Sequence, residues 1–222
     1  MAGRDARALL ARRHDRIDMT PSPPAWIYLA SQSPRRAQLL DQLGVAHRPL
    51  AAAPHEDAES LEAELPGEPP LDYVQRVTRL KLQAAQERWR RAGLPAAPIL
   101  CADTCVALGT DILGKPADVA DARRTLQRLS GRRHEVLTAV ALAWQGQEVF
   151  ALSRSEVTWR TLSAREIEDY VASGEPMGKA GAYAIQSRAA AWTQEIRGSY
   201  TGIMGLPLFE TDQLLRRIGF FD

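Results

Sequence analysis

Residues 134–161 read HEVLTAVALAWQGQEVFALSRSEVTWRT. Two runs rich in Val, Ala, Leu, Thr, Phe and Trp, residues 134–144 and 148–161, flank the turn-forming QGQ, and they read as two long consecutive strands. A third run, ILCADTCVAL at residues 99–108, is mostly apolar and reads as a central strand. A GTD turn carries the chain from it to a short strand at residues 112–113. Helical patterns lie on either side of these strands. Residues 71–92 place Tyr73, Val74, Val77, Leu80 and Ala84 on one stripe before Gly93, and residues 117–129 are amphipathic. Consecutive long strands among alternating helices indicate an α/β fold on a mixed sheet rather than a pure doubly wound one.

Further out, residues 26–30 read as a short buried strand. Ser33-Pro34-Arg35-Arg36 then opens a helix with Leu39, Leu40 and Leu43 inside and Gly44 as its stop. Residues 51–70, rich in Ala, Pro and acids, read as a flexible loop. Ser163 and Glu166 form a capping box for a helix running to Ser173. Residues 175–186 are glycine-rich and irregular. A strand near residues 190–196 and a helix near residues 208–218 complete the pattern.

The bulk composition excludes more than it assigns. The chain has 222 residues with 28 Lys and Arg against 27 Asp and Glu, a net charge of +1. No overall field favours nucleic acid or a membrane surface, and no apolar run reaches the roughly 18 residues needed to span a bilayer. Cys101 and Cys105 on one strand would lie about 13 Å apart at roughly 3.3 Å per residue, too far for a bridge. They read as reduced core thiols of a cytosolic protein. Residues 1–24 mix five arginines with three aspartates and lack a secretory apolar region. They read as a disordered tail, or Met19 is the biological start.

Five places carry candidate chemistry, each with an ordinary reading beside it. Ser31, Ser33, Arg35 and Arg36 sit at a strand-to-helix turn, where free N–H groups and a positive dipole end suit phosphate; a plain N-cap with solvated arginines has the same sequence. Lys81 lies on or beside an apolar stripe, where it either finds a partner or snorkels. Asp103, followed by Thr104 in an apolar strand, must be paired, hydrogen-bonded or metal-bound; it suits a magnesium ligand or a base for water, or else a strand-end cap. Lys115, between Gly114 and Pro116, is a fixed cation or a common turn. In KAGAYAIQ, residues 179–186, Lys179 and Gln186 flank small residues that let a ligand approach the backbone, unless the segment is merely structural. His14, His47, His55 and His134 form no cluster, and His134 reads as packing at a strand start.

The ordered set LASQSPRR (29–36), YVQRVTRLK (73–81), ADTCVALGTDILGKP (102–116), SGRRHEVLTAVAL (130–142), YVASGEPMGKAGAYAIQ (170–186) and GSYTGIMGLPLFET (198–211) resembles the Maf family of nucleotide pyrophosphatases. The likeness runs from about Tyr28 to Gly219. It implies an elongated mixed-sheet domain over residues 25–222, similar to the inosine-triphosphate pyrophosphatases, with two lobes around a central cleft. It implies a cytoplasmic homodimer whose substrate is a nucleoside triphosphate. It places triphosphate contacts on Ser31, Ser33, Arg35 and Arg36, catalytic roles on Lys81, Asp103 and Lys115, and a divalent cation, Mg²⁺ or Mn²⁺, on Glu56 and Asp103. Arg35, Thr104 and Gln186 match the dTTP/UTP branch, with Lys179 also on the substrate. Gly178 stands where the family usually has aspartate, and Ala184 where it has glycine. The alternatives are 7-methyl-GTP, CTP or a damaged nucleotide as substrate, or a nucleotide-binding division regulator without turnover.

Overall fold

A computed structural model describes residues 25–50, 52, 56 and 60–221. The tail expected at residues 1–24 lies outside the described residues, as do most of residues 51–59. The elements are β1 (Ile27–Leu29), α1 (Pro34–Gln42), β2 (His47–Pro49), α2 (Pro70–Arg91), β3 (Ile99–Leu108), β4 (Asp111–Leu113), α3 (Val119–Leu129), β5 (Arg133–Trp144), β6 (Gln147–Trp159), α4 (Ala164–Ala172), β7 (Thr193–Arg197), α5 (Tyr200–Met204) and α6 (Leu208–Arg217).

The strands form one seven-stranded mixed sheet in the order β2-β1-β3-β5-β6-β7, with β4 paired to β3. β1 runs parallel to β2 and β3, whereas β3-β5, β5-β6 and β6-β7 are antiparallel. The hairpin anticipated at residues 134–161 is the spine of this sheet. Trp144 pairs with Gln147 across a two-residue loop, and Gln145 and Gly146 both have positive φ, 48° and 79°. Two left-handed residues match the right-handed twist of the flanking strands.

β3 is buried along nearly its whole length, because helices cover both faces. α2 lies over one face, packing with Tyr28, Ile99, Cys101 and Ala141 near one end and with Cys105, Leu137 and Ala139 near the other. α1 and α6 cover Leu100, Ala102, Val140 and Leu142 on the opposite face. A separate cluster joins α3 and α4 to Val106, Val136 and the aromatic group Trp159, Tyr170, Tyr183 and Trp192. Burial pushes the Cys101 and Cys105 thiols up to about 12, and both are free.

Some expectations shift. The buried stripe of α2 runs through Tyr73, Val74, Val77, Thr78, Leu82 and Ala85, which replaces Leu80 and Ala84 and puts Lys81 on the inward face. α3 starts at Val119 because Asp118 serves as its N-cap, accepting from the Asp121 N–H at 2.7 Å. The last strand begins at Thr193. Residues 188–192 instead make a 3₁₀ turn that turns Ala189 and Trp192 inward. Trp192 then stacks edge-on against Trp159 and Tyr170, and this packing overrides local strand preference. β2 and α5 carry no signal strong enough to read in advance, being only 3 and 5 residues long.

Candidate active site

A cleft of about 430 Å³ opens between the α3–α4 cluster and the clusters beneath α1 and α2. That is the size of a small-molecule site. Ser31, Ser33, Arg35, Arg36, Lys81, Asp103, Thr104, Lys115, Lys179 and Gln186 all line it, so ten of the residues singled out in the sequence converge. Among the described residues, six cations (Arg35, Arg36, Lys81, Arg88, Lys115, Lys179) and two carboxylates (Glu62, Asp103) form its charged lining. This imbalance favours a polyanion.

The β1–α1 turn supplies one wall. Ser33 is the N-cap of α1 by position, yet its hydroxyl makes no capping bond; its N–H donates to the Ser31 hydroxyl at 3.1 Å. Arg36 is committed to the protein. Its Nε donates to the Gly205 carbonyl at 2.7 Å, and its two terminal nitrogens donate to Ser31 Oγ at 3.1 Å and Thr104 Oγ1 at 3.3 Å. Burial lowers its pKa, opposed by the nearby Asp103. Among the described residues, Arg35 makes one long 3.4 Å bond, from Nε to the Met204 carbonyl.

Thr104 belongs to a chain whose proton order follows from stoichiometry. Thr138 donates its single hydroxyl proton to the Gly202 carbonyl at 2.8 Å. The 2.9 Å contact between the two hydroxyls is therefore donated by Thr104, which accepts from Arg36. Thr104 thus has no proton left for a ligand and can only accept from one.

Asp103, in the middle of β3 and 6% exposed, is satisfied as an isolated buried carboxylate must be. Lys81 Nζ lies 2.5 Å from Asp103 Oδ1 and 2.7 Å from Glu62 Oε1. Glu62 Oε2 lies 2.7 Å from Lys115 Nζ. The four side chains form one alternating row of charge. Burial works to raise the Glu62 pKa, but Lys81 and Lys115 outweigh it and hold it below the ordinary carboxylate value. Glu56 is not joined to this row; its carboxylate is forked at 2.5–3.1 Å on Arg88, which also lines the cleft. Among the described residues no group of three His, Cys, Asp or Glu side chains is arranged to hold a metal ion.

The opposite wall is the 178–186 segment. Gly181 has φ +67°, and a Cβ there would meet Val106 side-chain carbons at 2.8–2.9 Å, so only glycine fits. Its N–H donates to the Gly114 carbonyl at 3.1 Å, tying this segment to the turn that carries Lys115. The Tyr170 hydroxyl receives the Ala184 N–H at 3.4 Å and donates to Glu175 at 2.8 Å. Lys179 Nζ donates to the Glu175 carbonyl, and burial together with neighbouring Arg35 lowers its pKa. Gln186 is exposed at the cleft's edge. His134, as expected, packs at the start of β5, where Nε2 lies 2.8 Å from the Tyr183 hydroxyl.

Glu62 and Arg88 escaped the sequence reading. Glu62 lies in an aperiodic acid-rich stretch, and Arg88 on a helix face that looks solvated. No spacing marked either.

A cation-rich helix start thus faces a lysine-held aspartate across one cleft of a mixed α/β sheet. The family described as Maf-like protein matches residues 26–218, and the chain belongs to it. Among its relatives is a dTTP/UTP pyrophosphatase of Polaromonas sp., 62% identical over 194 residues that cover 87% of this chain and 96% of the relative. One from Albidiferax ferrireducens is 60% identical over 195 residues, 88% of this chain and 98% of its own. One from Cupriavidus metallidurans is 62% identical over 193 residues, 87% and 96%.

Proposed function

We propose that this protein hydrolyses dTTP and UTP between the α and β phosphates, giving the nucleoside monophosphate and pyrophosphate. The observation that carries the reading is the row Asp103–Lys81–Glu62–Lys115 facing the β1–α1 turn across one cleft. Arg35, Lys81, Lys115 and Lys179 bind the phosphates and offset their charge as it redistributes in the transition state. Ser31 and Ser33 orient the phosphates. Asp103, itself held by Lys81, accepts the proton of the attacking water. Gln186 and Thr104 meet the base edge, with Thr104 accepting.

The donor chemistry fits a hard divalent cation. Such an ion takes one or two protein carboxylates and fills its remaining positions with phosphate oxygens and water. Asp103 would hold it, joined by Glu56 once Glu56 leaves Arg88. When bound it would supply Lewis-acid polarisation of the phosphate and a more acidic water. Pairing of two copies and a cytosolic setting, where buried thiols stay reduced, complete the proposal; among the described residues no helix is long and apolar enough to cross a membrane.

The test is a panel of dTTP, UTP, CTP and 7-methyl-GTP with Mg²⁺ or Mn²⁺. Pyrophosphate release with preference for dTTP and UTP is expected. Orthophosphate as the product, or tight binding with no turnover, contradicts it.

A further inference from the structure

We infer that Glu62 is an internal stand-in for a phosphate group: it holds the lysines of the cleft until a polyphosphate displaces it, and returns after cleavage to clear the products. This rests on the pyrophosphatase reading above. The geometry is that of an anion in a binding site rather than of a surface ion pair. Each Glu62 oxygen takes a different ammonium, Lys81 from α2 and Lys115 from the turn after β4, both at 2.7 Å. A bridging phosphate presents oxygens to two cations in the same manner.

The backbone at Glu62 is anchored independently of its carboxylate. Glu62 ends the 3₁₀ turn Ser60–Glu62. The Tyr73 hydroxyl donates to its carbonyl at 3.0 Å, and Arg76 donates to the next carbonyl, that of Ala63, at 2.8 Å. The side chain is 24% exposed, so its carboxylate can rotate towards water with its backbone anchored. Lys81 keeps Asp103 when this happens, whereas Lys115, 44% exposed, is freed for a ligand.

Competition of this kind weakens every anion that needs these lysines. A triphosphate outweighs it because Arg35, Lys179 and the serine turn hold its other groups at the same time. Once the chain of phosphates is cut, neither fragment keeps all those contacts, and Glu62 regains the lysines. Glu62 is thus a specificity and product-release residue, distinct from Asp103.

Glu62→Gln keeps the volume and removes the charge. The measurement is calorimetric titration of inorganic pyrophosphate into the full chain in EDTA. The variant is expected to bind on the order of tenfold more tightly, the worth of two partly exposed ion pairs. Glu62→Asp, one methylene shorter and unable to span both lysines, is expected to fall between. In UTP turnover, KM falls and pyrophosphate inhibits the variant at lower concentration. Equal or weaker pyrophosphate binding by Glu62→Gln overturns the inference. So does a variant whose KM rises while product inhibition is unmoved, the pattern of a carboxylate that assists turnover. Thermal unfolding checks that both variants fold. The titration needs no catalysis: if neither protein releases pyrophosphate from UTP, the proposed reaction fails, and the Glu62 competition is still decided by the binding data.

Discussion

Lys81 and Asp103 meet at 2.5 Å across the junction of α2 and β3, so the helix that covers the sheet also aims the carboxylate buried within it. Asp103→Asn removes the proposed proton acceptor and puts a neutral amide of the same shape in its place. Turnover of UTP is expected to fall by roughly 10²–10⁴, the usual contribution of a general base. Lys81 keeps Glu62 as a partner, so the thermal midpoint moves little. Steady-state kinetics and circular dichroism check the two halves separately, and near-normal turnover removes Asp103 from the role.

The adjacent arginines of α1 are expected to respond differently to the same substitution. Arg36→Lys cannot reproduce three donors to Gly205, Ser31 and Thr104. Stranded acceptors make it lose about 1–3 kcal/mol in urea unfolding. Arg35→Lys, with one long internal bond, is expected to leave stability nearly unchanged and to raise KM for UTP severalfold.

His134 gives the protein a pH dependence of stability. Burial holds its pKa down at about 4, against an ordinary 6.5. The folded form therefore resists protonation that the unfolded chain accepts. Stability contributed by the neutral ring is full above pH 6.5, is lost as pH falls below it, and levels off below about 4. The shift corresponds to about 3 kcal/mol at most. Urea midpoints of the unchanged protein and His134→Gln at pH 7 and pH 5 should show a smaller drop in the variant; parallel drops would refute this.

Gly181→Ala would introduce a methyl against Val106 at a left-handed position. Left-handed backbone alone costs about 1–2 kcal/mol for an L-residue, and relief of the clash shifts the segment bearing Lys179 and Gln186. Lower thermal stability together with a higher KM is expected.

Much of this was legible in the residues themselves. Ile99–Leu108 announces a central strand because it is apolar without interruption except at Asp103 and Thr104, and that exception marks the site. Ser163 and Glu166 announce α4 because the capping box is local chemistry, and both of its hydrogen bonds are formed. What was not legible depends on distant partners. Residues 188–192 leave the strand because Trp192 finds Trp159 and Tyr170. Glu62 matters only because α2 and the turn after β4 bring two lysines to it. Glu56, matched to a cation by resemblance, rests against Arg88, a partner that no spacing foretells.

The bond from Arg36 to the Gly205 carbonyl spans 169 residues and joins the β1–α1 turn to the turn that follows α5. During translation the N-terminal half of the cleft leaves the ribosome long before its closing partner exists. A nascent chain stopped short of α5 carries an arginine fork with its chief acceptor still unsynthesised. The wall of the cleft that Arg36 braces is accordingly completed only after the turn that follows α5 has been made.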